Sequence, residues 1–208
     1  MKKVLFCILS SFLVVVGCAS TSVQVHEDNN TFVSTYPKLS IKVSPEYKYI
    51  GEYKYGSSGS SLDAAMSTTR REKVYFFVKS SPNNTRIDRA ISIWFMQTST
   101  YWNPVSTFIP KEKKTSGTCE LADKDYHYYT RFINVSAGRK HTKFVTDKGY
   151  VLPNFMFEKS HLRVVGAKNN ILVKINYYED ATTGTKSKAR FQRFNDHCTE
   201  AFEVLDSL

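Results

Sequence analysis

The sequence is short of nearly every signature that would announce a catalyst. It contains no Gly-x-Gly and no Gly-x-x-x-x-Gly-Lys-Ser/Thr, so the loops that cradle phosphates are absent. No serine has a lysine three residues on, which removes the penicillin-binding signature. His26, His127, His141, His161 and His197 show neither His-Glu-x-x-His nor His-x-His spacing, whereas zinc needs several converging ligands. Asp123-Lys-Asp125 lacks the glycine and the distal glutamate of a calcium loop. Gly56-Ser-Ser-Gly-Ser-Ser61 approaches the Gly-x-Ser-x-Gly nucleophile elbow, but its fifth position is Ser60 and no apolar strand leads into it. It reads as a flexible loop. The expectation is a protein with no cofactor and no metal, and a binding role before an enzymatic one.

Other scarcities bound the architecture. Nine glycines and six prolines in 208 residues are too few for a collagen-like or linker-dominated chain. No apolar run reaches the ~20 residues that a bilayer-spanning helix needs. Acidic residues are outnumbered, with 19 Asp and Glu against 29 Lys and Arg, a formal charge of +10. The basic surplus is spread over Arg70-Arg71, Lys111 to Lys114, Arg139-Lys140 and Lys186 to Arg193, and no block makes a binding tail. What remains, 41% hydrophobic and 23% charged, is the balance of one globular domain.

The first twenty residues have a pattern of their own. Lys2 and Lys3 precede an apolar run, Val4 to Val16, interrupted only by Cys7, Ser10 and Ser11. That run has the length of a secretory h-region. Gly17-Cys18-Ala19-Ser20 follows it. The combination resembles the lipobox of bacterial lipoproteins, and the resemblance covers residues 1 to 20. It implies a signal peptide over residues 1–17, cleavage before Cys18, and acyl chains on the Cys18 thiol. Two or three such chains hold a protein on a membrane without crossing it. Ala19, where an aspartate favours inner-membrane retention in that family, implies the periplasmic face of the outer membrane. Nucleic acid is not expected as a partner for an exported protein. Another envelope protein or an anionic envelope polymer is.

With Cys7 removed and Cys18 lipidated, Cys119 and Cys198 remain. An even remainder in an oxidising compartment reads as a disulfide, with two separate buried thiols or a reactive pair as alternatives. It would contribute roughly 4 kcal/mol in the chain-entropy model.

Residues 18–35 are polar and read as a tether, with a single domain over residues 36–208. Leu39, Ile41 and Val43 alternate with Ser40 and Lys42 as a strand stopped by Ser44-Pro45. Tyr47, Tyr49, Tyr53 and Tyr55 share a parity, which would put four aromatics on one strand face, either as a stacking platform or beneath a covering helix. Strands are expected at Lys73 to Val78 and Ile87 to Thr98, the second apolar enough to be buried on both faces. Residues 99 to 125 read as loop. Tyr126 to Val135 and Arg139 to Val145 read as a hairpin around Ser136-Ala137-Gly138, and His161 to Val165 with Ile171 to Tyr178 as another. Phe191, Phe194, Cys198, Ala201, Phe202 and Leu205 then step by three and four, predicting an amphipathic helix from about Ser187 to Leu205. Lys188, Arg190 and Arg193 crowd its N-terminal half against the helix dipole. That is either an anion-binding site or a solvated surface.

The expected class is therefore α+β: an antiparallel sheet of about six to seven strands packed against a C-terminal amphipathic helix. The order of elements resembles the PsbP superfamily, through the Leu39-Ser-Ile-Lys-Val-Ser-Pro45 strand and the closing hairpin and Phe-rich helix at Ile171 to Leu205. The resemblance implies a sandwich fold. Two functions stay open: a non-catalytic, lipid-anchored binding or accessory protein recognising another envelope component, and an envelope hydrolase or small-molecule binder with an unconventional site.

Overall fold

Among the described residues, two antiparallel sheets and two α-helices make the architecture. The computed structural model describes residues 22–60, 67–81, 85–135, 139–182 and 187–207. The expected signal peptide, Cys18 and the turn at residues 136–138 lie outside them. The smaller sheet has the order β1-β2-β3-β11, from Val23–His26, Thr31–Thr35, Lys38–Val43 and Phe202–Ser207. The larger has the order β4-β5-β6-β10-β9-β8-β7. Its strands are β4 Lys48–Ser60, β5 Ser67–Ser80, β6 Ile87–Thr98, β7 Thr115–Leu121, β8 Lys124–Asn134, β9 Phe155–Val165 and β10 Ile171–Asp180. Helices α1, Lys140–Asp147, and α2, Lys188–Ala201, complete the fold.

Period-two patterning explains how the layers close. Leu39, Ile41 and Val43 of β3 are buried and Lys38 and Lys42 are exposed, so one apolar face of the small sheet meets the large one. Phe32 of β2 inserts there, its ring edge-on to Tyr75 of β5 at 4.9 Å. Ile91, Ile93 and Phe95 of β6 and Val173, Ile175 and Tyr177 of β10 face the same interior, together with Phe194, Cys198 and Ala201 of α2. The opposite parities of β6 and β10 turn to the outer face of the large sheet. There α1 covers one end with Val145 and Phe144, and a loop with a single 3-10 turn, Val105–Phe108, covers the other.

Several expectations need correction. The stretch expected as a tether carries β1 and β2, which belong to the smaller sheet, so the domain includes residues before 36. The four tyrosines do not share a face. A register shift between Tyr49 and Gly51, which has φ +123°, sends Tyr49 inward against Phe77 and Tyr53 outward under Phe144 of α1. Gly56 to Ser60 continue β4 instead of forming a loop, paired as far as Ser67. The strand expected over 139–145 is instead helix α1, with Arg139 as its extended N-cap. Thr142 and Val145 face the sheet, the Lys143–Asp147 pair spans one turn at 2.8 Å, and Gly149 at φ +86° ends the helix. The loop expected at 99–125 contains β7, joined to β8 by Ala122 and Asp123, both at positive φ as a type I′ turn requires. Finally, α2 stops at Ala201. Phe202 and Val204 are buried and Glu203 and Leu205 exposed, so the last residues alternate and pair with β3.

Candidate functional site

Four adjacent strands bring polar side chains into one band on the outer face of the large sheet. The registers set Ser92 opposite Asn176, Asn176 opposite Ser160, Tyr178 opposite Glu158, and Glu158 opposite Arg131. Partners directly across a ladder have Cβ atoms roughly 4.5–5.5 Å apart, so contact between these side chains follows from the pairing. Glu158 is 2% exposed and is held by the Nε of Arg131 and by Lys174 Nζ, 3.3 Å from its Oε1. Lys174 lies 5.5 Å from the Tyr129 ring centroid and 5.9 Å from that of Trp94.

A neutral relay runs beside the charges. Asn176 Nδ2 donates to Ser92 Oγ at 3.0 Å and Trp94 Nε1 donates to the same oxygen at 2.6 Å. With both lone pairs of Ser92 taken, its proton turns to the Tyr178 hydroxyl at 3.4 Å, which leaves the phenol proton free to donate onward. Ser160 Oγ lies 2.7 Å from Asn176 Oδ1 and 3.2 Å from Glu158 Oε1.

Electrostatics follow from burial and proximity. Burial raises the Glu158 carboxyl, but Lys174 and then Arg131 more than reverse this and hold it below the usual carboxylate range. Burial lowers the Lys174 ammonium, yet Glu158 lifts it above its ordinary value. His141, edge-on to Trp94 at 5.6 Å, is lowered by burial, then by Arg139 and Lys174, so its imidazole is neutral at pH 7. Burial, with Glu158 adding to it, pushes the Tyr178 phenol well above its ordinary range.

Between this polar band, α1 and the segment around Leu152 lies a cavity of about 130 Å³. Phe76, Val78, Ile87, Val145, Leu152 and Met156 make apolar walls, while Glu158, Lys174, Arg131 and Tyr178 supply its polar side. Apolar walls with a few converging polar groups are the usual chemistry of a small-ligand site.

A second charged cluster has a fastening role. Arg89 Nη2 lies 3.1 Å from His197 Nε2, and since arginine only donates, the histidine proton sits on Nδ1 and reaches Glu179 Oε2 at 2.9 Å. Tyr177 donates to the same carboxylate at 2.7 Å. Glu46 joins through Lys79 and Arg89. These bonds tie α2 to β6, β10 and the start of β4.

The residues singled out from sequence stand elsewhere. Lys188 and Arg193 are exposed, whereas Arg190 donates to the Asp180 carbonyl at 2.9 Å and lies over the Phe157 ring. At 100° per residue Lys188 points well away from the other two. Ser187 caps the helix by accepting from the Arg190 N–H at 3.2 Å. The structure brings these cations to no common anion site. Cys119 on β7 and Cys198 on α2 face the same interior and are free thiols in this structure. Burial raises both, Cys198 to about 12, and each is further affected by Lys159. Among the described residues no group of three or more His, Cys, Asp or Glu could hold a metal. Sequence reasoning missed Arg131, Glu158, Lys174 and Tyr178. The available signal was Lys174 and Asn176 at alternate positions of a strand otherwise apolar on both faces. No family model, curated protein or solved structure matches this chain.

Proposed function

We propose that this chain is a lipid-anchored protein of a bacterial cell envelope, held by acyl chains on Cys18 at the periplasmic face of the outer membrane. It works as a non-catalytic binding protein for a small envelope component, and its site is the cavity beneath α1. One observation carries the assignment of the site: a charged and hydrogen-bonded band on the outer face of the large sheet opens into a cavity whose other walls are apolar. A sheet selected for stability alone would fill that position with aliphatic side chains, because buried charges cost free energy unless fully paired. Hydrolysis has less support. The Ser92 hydroxyl donates to Tyr178, and Glu158, the carboxylate beside Ser160, is already engaged by Arg131 and Lys174. The PsbP-like resemblance contributes no residue to this site. With β1 beginning at Val23, only five positions on from Cys18, the domain lies close to the membrane.

The test is to extract the lipidated chain in mild detergent and measure retained small molecules by native mass spectrometry. Ala90 is 7% exposed and lines the cavity. An adduct lost in Ala90→Leu, which fills the cavity, is the expected result. No adduct, or one indifferent to Ala90→Leu, contradicts the reading. Cys18→Ser tests the anchor by releasing the chain into the soluble fraction. In the oxidising compartment that this reading assigns, Cys119 and Cys198 close to a disulfide. The intact mass then falls by two hydrogens, whereas two alkylatable thiols in the denatured exported protein argue against the pairing.

A further inference from the structure

Charge at the cavity is unbalanced. Three cations line it, Arg131, Arg139 and Lys174, against one carboxylate, Glu158, while His141 is neutral. Arg131 through its Nε and Lys174 divide that carboxylate between them. The ammonium of Lys174 has three N–H donors, of which Glu158 takes one and the Tyr129 hydroxyl another. Its side chain is only 15% exposed, so water does little to satisfy the rest. The Tyr178 phenol, whose oxygen already accepts from Ser92, has its own proton to give. Donors therefore exceed acceptors on the polar side of a cavity whose other walls are apolar.

From this geometry, and resting on the assignment of the cavity as the binding site, we infer that the ligand is a compact organic carboxylate. Its carboxylate completes the charge balance of Lys174 and accepts from Tyr178. Its apolar body lies against Phe76, Val78, Val145 and Leu152. Size sets the limit: a closed apolar cavity of about 150 Å³ holds one benzene ring. The volume here, about 130 Å³, admits a body of that order, and any larger portion of the ligand extends past Arg139, which is exposed at the rim. Trp94 and His141, edge to face, favour a planar group between α1 and the sheet.

The lipidated full chain in detergent is titrated calorimetrically with benzoate and with benzamide, which share shape but not charge. Benzoate is expected to bind at least tenfold more tightly. Lys174→Met leaves Arg131 and Glu158 paired one to one, so it retains its fold by thermal melting and abolishes the difference. Arg193→Met, on the exposed face of α2, leaves it intact. Equal affinity for the two probes overturns the carboxylate assignment while the cavity remains the site. Binding of neither probe overturns it as well, and if native mass spectrometry also finds the chain empty, the reading of the cavity falls with it. A preference for benzoate that survives Lys174→Met moves the anion away from this lysine and refutes the inference.

Discussion

Glu158 and Lys174 touch each other, yet removing them has opposite consequences. Glu158→Gln strands two part-buried cations, and breaking a buried pair by deleting one partner costs about 3–5 kcal/mol. Lys174→Met removes the surplus cation and leaves a balanced pair, so it is expected to be neutral or stabilising. Urea midpoints of the two variants, measured side by side at pH 7, check the contrast. Equal losses would contradict the account of the charge imbalance. His161 offers a pH test. It is 5% exposed, set edge-on to Phe202, and burial followed by the neighbouring Lys159 lowers it to about 3. A histidine whose folded pKa is lowered binds fewer protons folded than unfolded between pH 3 and its unfolded value of about 6.5. Its contribution is complete above that upper limit and is lost as pH falls through the window. Glu158, also depressed, loses its contribution at more acidic pH, in the same direction. Stability measured from pH 7 to pH 4 should therefore decline in the wild type and decline less steeply in His161→Phe. Parallel curves would contradict the burial of a neutral imidazole.

The elements divide by how much of their burial is visible as period. β6 and β10 are legible because each repeats aliphatic side chains on both parities, as strands covered on both faces do, and β6 spans Ile87–Thr98 as read from the sequence. β7 was hidden because its inward positions are Gly117, Cys119 and Leu121, two of them too small to register as apolar period. The position is also tight: a Cβ at Gly117 would stand 3.1 Å from the Tyr128 ring, which would have to give by a few tenths of an ångström. The β-branched residues Thr142, Val145 and Thr146 made α1 look like a strand. The stop signal, Gly149 after Lys148, was present but went unused. That glycine gives the element-scale prediction. Gly149 has φ +86°, and Gly149→Ala places an ordinary side chain in left-handed backbone at a cost of about 1 kcal/mol. Because α1 roofs the cavity, hydrogen exchange in residues 140–147 should accelerate and the retained ligand should dissociate faster, with exchange in β10 unchanged. Acceleration throughout the large sheet would show that α1 is not an independent cover.

At the scale of the molecule, the small sheet and α2 bury one face of the large sheet through an aromatic interior, while the other face is covered piecemeal by α1 and the 99–113 loop. The gap between those two covers is where the charged band opens. This explains why the layers were readable and the site was not. Alternation places Lys174 on a strand, but only the register of β8, β9 and β10 sets Glu158 and Arg131 beside it. The central claim is that a ligand enters this gap. The two tryptophans make it directly measurable, since Trp94 borders the cavity and Trp102 sits apart beside Phe108, its indole N–H on the Met96 carbonyl at 3.0 Å. In the nitrogen-15-labelled full chain in detergent, the indole signals are assigned with Trp94→Phe and followed during benzoate titration. The Trp94 signal is predicted to move saturably while Trp102 stays fixed. A stationary Trp94, or movement of Trp102 alone, would contradict binding in the cavity.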